Sequence, residues 1–105
     1  MATLLTARDV DRRTALRRPA AQCGIAAPAV LRPGLTVRVL ELSAGGALVE
    51  SPAPVRPDVC TELGLAGLDG RRHAVRAHVL RCWVSALDPL TYRCAVRFDH
   101  AFRCG

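Results

Sequence analysis

The 105 residues leave room for one domain and not for two. Half of them are hydrophobic but only 4% are aromatic, so a core has to be built from Val, Leu, Ala and Ile. The net charge is +6, and all 15 basic residues are arginine, which favours anionic partners such as nucleotides, nucleic acid, acidic proteins or anionic lipid. Five cysteines (Cys23, Cys60, Cys82, Cys94 and Cys104) stand at irregular spacing with no CxxC pair. That argues against a zinc ribbon or a redox dithiol. Met1 to Thr6 is too short an apolar stretch for a signal peptide. The run Ile25 to Leu31 is interrupted by Pro28 and falls short of a membrane span. The expected compartment is the cytoplasm, with reduced thiols and no membrane association.

Residues 1 to 18 read as a basic arm carrying Arg8, Arg12, Arg13, Arg17 and Arg18. Arg13 and Arg17 are four apart, so a helical turn would set both guanidiniums on one face. The plain alternative is a solvated basic terminus. From Cys23 onward the pattern turns to β. Cys23 to Leu31 alternates but contains Pro28, which suits an edge or irregular strand. Arg32-Pro33-Gly34 reads as a turn. Leu35 to Ser43 is a strand with apolar residues on both faces, Leu40 and Leu42 being expected on one side and Glu41 and Ser43 on the other. Ser43-Ala44-Gly45-Gly46 reads as a tight hairpin turn, because glycine reaches positive φ freely. The Ser43 hydroxyl is placed to bond nearby amides. Ala47 to Val49 follows, then a proline-rich connection through Pro52, Pro54 and Pro57.

Val59 to Ala66 alternates, with Val59, Thr61, Leu63 and Leu65 on one face. Asp69-Gly70 signals the next hairpin. In Ala74 to Ser85 the phase slips at Arg81, and a β-bulge near Leu80 is the simplest repair. Ala86 to Pro89 reads as a loop. Tyr92, Cys94, Val96 and Phe98 then alternate cleanly with Arg93, Ala95, Arg97 and Asp99. About six short strands with regular turns predict an all-β fold, a small antiparallel barrel or sandwich. The divisions expected are a basic arm over 1–18, a barrel over 19–99, and a tail over 100–105 too short for a substantial helix.

Catalysis finds little support, since His73, His78 and His100 accompany no nucleophile motif. His78 and Cys82 are four apart, yet two ligands do not make a zinc site. No enzyme activity, catalytic residue or metal is therefore expected. The cysteines read as small apolar residues, Cys94 in the core and Cys23 and Cys60 on strands. Trp83 reads as a partly buried core aromatic, with base stacking as the alternative.

Taken together, Arg13-x-x-x-Arg17, then Glu41-x-Ser43-x-x-Gly46, and the closing strand YRCAVRFD resemble the PilZ domain family in order and spacing. The resemblance covers about residues 12 to 99. It implies a small six-stranded antiparallel β-barrel of split-barrel type with a flexible Arg-rich N-terminal arm; the family often adds a C-terminal helix, and the short tail after Phe98 departs from that, so little or no such helix is expected here. It also implies non-catalytic binding of cyclic di-GMP, with the signal relayed to an unidentified protein partner. By the same match Arg13, Arg17, Glu41, Ser43 and Gly46 would be the ligand residues, with Arg12 and Arg18 as secondary candidates. Glu41 departs from the Asp or Asn of the family motif by one methylene, which moves its carboxylate outward. The alternatives are a PilZ-like interaction domain without nucleotide and a small nucleic-acid-binding barrel. The scarcity of aromatics for stacking argues against the second.

Overall fold

The computed structural model describes residues 17–102. Arg8, Arg12 and Arg13 of the arm, and positions 103–105, lie outside the described residues. Six strands follow one another: β1 (Pro28–Leu31), β2 (Leu35–Ser43), β3 (Gly46–Ser51), β4 (Cys60–Ala66), β5 (Arg72–Leu87) and β6 (Leu90–Phe98). They close into an antiparallel barrel in the order β1-β2-β3-β6-β5-β4, with β1 pairing β4 through Val30 and Leu31. Closure leaves no long unpaired edge, which a small all-β chain needs.

Alternation places one apolar set inside. Leu31, Leu42, Val49, Leu63, Val79 and Cys94 are all at or below 1% exposure and fill the barrel. The expected strand from Cys23 is shorter in fact. Ala20–Cys23 form a 3-10 turn ended by left-handed Gly24, and only from Pro28 does continuous pairing begin. Asp69-Gly70 forms the expected hairpin, with Gly70 at φ 87° and the Asp69 carboxylate accepting from Arg71 N–H. Ala86 and Leu87, read as loop, extend β5 and leave Asp88-Pro89 alone as the turn. Residues past β6 also contribute: Phe102 is buried, packs edge-on against Phe98 and His73, and donates its N–H to the Ala44 carbonyl.

The expected bulge in β5 lies between Val79 and Arg81. Its extra residue, Leu80, is exposed, and the phase inverts so that Arg81 and Trp83 face outward while Cys82 faces in. Trp83 is thus an outer-surface residue, 36% exposed, with the Arg81 guanidinium 4.9 Å from its ring centroid. A second bulge, between Val84 and Ala86, was not evident from the sequence.

Cys82 and Cys94 are cross-strand partners with their sulfurs 3.2 Å apart, both reduced. Burial, and then the hydrogen bond and charge of Cys82, push the Cys94 thiol up from 9.0 to about 12. Cys94 therefore stays neutral in the folded barrel at a pH where it ionises in the unfolded chain. Its contribution to stability is complete below about pH 9 and is lost as pH rises toward 12. Denaturant unfolding across that range is expected to show an alkaline decline that is shallower by about one proton in Cys94→Ala. Equal slopes in the two proteins would contradict this. Cys23, expected on a strand, is instead buried at the end of the Ala20–Cys23 turn.

Candidate functional site

The β2–β3 hairpin owes its shape to an extra residue in β2. Val39 pairs with Val49, but the next pair is Glu41 with Leu48, so Leu40 is the bulged residue. Before the bulge Val37 and Val39 point inward; after it Leu42 does, at 0% exposure. A regular strand would have carried Glu41 into the core with Val37 and Val39. The bulge turns it outward instead. The expectation that Leu40 and Leu42 share a face is corrected by the same bulge, since Leu40 stays half-buried outside the core set.

β1 covers only the first part of β2, and the residues entering from the arm pair with the remainder. Arg18 N–H donates to Leu42 O at 2.9 Å, and Leu42 N–H donates to Arg18 O at 2.7 Å. This two-bond bridge holds Arg17 over the outer surface, where its Nη1 lies 3.7 Å from Glu41 Oε1. The two side chains are 47% and 44% exposed. An ion pair that open to water is worth about 0–1 kcal/mol, so it orders the surface weakly and yields to a stronger anion.

Ser43 and Gly46 close the turn as a cross-strand pair. The Ser43 hydroxyl donates to Gly46 O and accepts from Gly45 N–H, both at 3.3 Å. These long bonds brace the turn. Neither Gly45 nor Gly46 has positive φ, which corrects the reason read from the sequence for the paired glycines. At Gly46 the constraint is contact: a Cβ there would run into the Val96 carbonyl oxygen of β6. Around Gly45 the space is open.

Strand register assembles a cationic outer face around this hairpin. Glu41 lies opposite Leu48, which lies opposite Ala95, which lies opposite Arg81. The next outward row runs Arg38, Glu50, Arg93 and Trp83, and Gly46 pairs with Arg97. Arg17, Arg18, Arg38, Arg81, Arg93 and Arg97 are all exposed here, against Glu41 and Glu50. A depression of about 540 Å3 opens beside the Arg38–Glu50 row, reaching Pro28 and Thr91. The central positions, Leu48 and Ala95, are uncharged, so the face is apolar in the middle and basic at its rim.

Of the residues singled out from the sequence, Arg17, Arg18, Glu41, Ser43 and Gly46 come together at one end of β2–β3. Arg12 and Arg13 lie outside the described residues. Sequence reading missed the strand arginines Arg38, Arg93 and Arg97 as parts of this face. Their alternation was visible, but which strands would be neighbours was not. Among the described residues no group of three or more His, Cys, Asp and Glu side chains is arranged to hold a metal ion. His78 and Cys82 fall on opposite sides of the sheet because of the Leu80 bulge. Fold and site together define a small closed antiparallel barrel whose N-terminal entry segment sets Arg17 and Arg18 against an acidic, serine-braced hairpin. No protein-family model, curated protein or solved structure matches the chain.

Proposed function

We propose that the chain is a non-catalytic PilZ-type receptor that binds cyclic di-GMP and passes its level to a protein partner in the cytoplasm. The Arg17–Glu41 contact carries this reading, because it joins the end of the RxxxR motif to the start of the ExSxxG motif. Arg17 and Glu41 are 24 positions apart in sequence and meet through the Leu40 bulge and the Arg18–Leu42 bridge. The ligand is a compact dianion with two guanine edges. Guanidinium groups bond phosphate oxygens or guanine O6 and N7 in pairs, and they stack on bases. Arg17, with Arg13 and the secondary candidates Arg12 and Arg18, supplies these groups from the arm. The rim arginines of β2, β3's neighbour β6 and β5 supply a positive field that concentrates the anion.

Binding exchanges the exposed Arg17–Glu41 pair for an arginine–phosphate pair, which is charge-assisted in both partners and geometrically bidentate. Equilibrium dialysis with labelled cyclic di-GMP tests this. Saturable retention competed by unlabelled cyclic di-GMP, and not by equal GTP, is expected; linear uptake at every concentration would overturn it. A second reading has its own support: Glu41 is engaged with Arg17, and the Ser43 hydroxyl is spent within the turn. On that reading the barrel is an adaptor without nucleotide, and its protein partner is retained when Arg13 and Arg17 are both replaced.

A further inference from the structure

In the row that runs from Gly46 through Arg97 of β6, β5 and β4 bring three chemistry-bearing side chains into line. Cys60 and His78 are direct cross-strand partners. The Cys60 sulfur lies 3.3 Å from His78 Nδ1, and His78 Nε2 lies 3.6 Å from Asp58 Oδ1. The groups sit on opposite sides of the imidazole, so they form a relay and do not converge on a metal position. Asp58 is the one non-glycine described residue with positive φ, 65°, and its N–H is fixed to the Val79 carbonyl at 2.8 Å. Backbone held in that region places the carboxylate beside Nε2. At 3.6 Å the largely exposed carboxylate acts on the ring as a nearby charge and not as a hydrogen-bond partner; with the ring proton on Nε2, Nδ1 accepts from the thiol. Cys60 is exposed.

A depression of about 470 Å3 adjoins the sulfur, lined by Arg32, Glu62, Arg76 and Asp99 among others. Arg97 lies opposite His78 on β6. Partly exposed thiols beside imidazole and guanidinium groups are the reactive ones. The mixed charges of the depression suit a small molecule bearing both carboxylate and ammonium groups.

We propose that Cys60 is a thiol-modification site that reacts with a small zwitterionic disulfide. The Cys60 proton passes to His78 Nδ1, and the thiolate attacks one sulfur of the disulfide. The S–S bond breaks, a Cys60 mixed disulfide forms, and the departing thiolate takes the proton back from His78. One disulfide and one protein thiol give one mixed disulfide and one small thiol, once per chain. His78 takes part in the proton transfer, and Asp58 is a positioning residue.

The test is intact-mass and peptide-map analysis of the full chain incubated with oxidised glutathione at neutral pH. A single adduct on Cys60 is expected, formed about tenfold faster than in His78→Gln, a surface variant whose folding is checked by circular dichroism. Asp58→Asn, which suits the left-handed backbone and removes the charge beside Nε2, is expected to slow the reaction. Arg76→Ala is expected to slow reaction with oxidised glutathione more than with uncharged hydroxyethyl disulfide. Adducts on Cys82 or Cys94 alone, or a Cys60 rate unchanged in folded His78→Gln, would overturn the proposal.

Discussion

Replacing Gly46 with alanine is expected to destabilise the barrel by about 2–3 kcal/mol, whereas Gly45→Ala, one residue earlier, should change stability by less than about 0.5 kcal/mol. The difference is steric. A Cβ at Gly46 meets the Val96 carbonyl oxygen, a backbone atom of the neighbouring strand that a side-chain rotation cannot move. Relief requires β3 and β6 to part at Gly46–Arg97, the first pair of a six-pair ladder that closes the barrel. Gly45 points into open space and uses no left-handed backbone. For a domain of this size the Gly46 loss corresponds to a fall in melting temperature of roughly 10–20 °C. Thermal unfolding of the two variants side by side separates the explanations. Equal shifts would mean that turn flexibility, and not the β3–β6 approach, sets the requirement for glycine.

Arg17→Ala carries the largest expected functional effect. A charged hydrogen-bonded contact to phosphate is worth about 1.5–3 kcal/mol, so cyclic di-GMP affinity should fall by about 10- to 100-fold. Stability should hardly change, because the Arg17–Glu41 pair in the free protein is open to water on both sides. Glu41→Asp should move the opposite way. The shorter carboxylate withdraws from Arg17 and frees the guanidinium for ligand, so binding should tighten by about threefold or more. Tighter binding in Glu41→Asp together with loss in Arg17→Ala would distinguish a working nucleotide site from a surface ion pair. An adaptor without ligand predicts that neither variant differs from the parent in any nucleotide assay.

The strands were legible because polar and apolar residues alternate in them, most clearly in Tyr92 to Phe98. The Leu80 bulge was legible too, because Arg81 would otherwise have entered the core. The Leu40 bulge was not, although it decides where Glu41 points. Continuing the phase of Val37 and Val39 would have buried Glu41, but Leu40 and Leu42 offered an apolar face of the opposite phase, so the slip between the two went unread. The same limit hid the Cys60–His78 contact and the arginine rows, which depend on register between strands remote in sequence. The role of Gly46 was misread for a related reason: a glycine pair signals a turn, whereas the close approach of β6 is visible only once the barrel is closed. Phe102 lies beyond the last alternating residue, and no periodicity marked it as core. The hairpin was readable from its paired glycines and Arg17 from the family resemblance, and their junction depends on one bulge and one bridge.

Titration calorimetry of the purified chain with cyclic di-GMP, run in parallel on Arg17→Ala, tests the proposed nucleotide site most directly. A saturable heat at micromolar ligand that weakens at least about tenfold in Arg17→Ala is the predicted result. No heat up to high micromolar ligand, or the same affinity in both proteins, would contradict it.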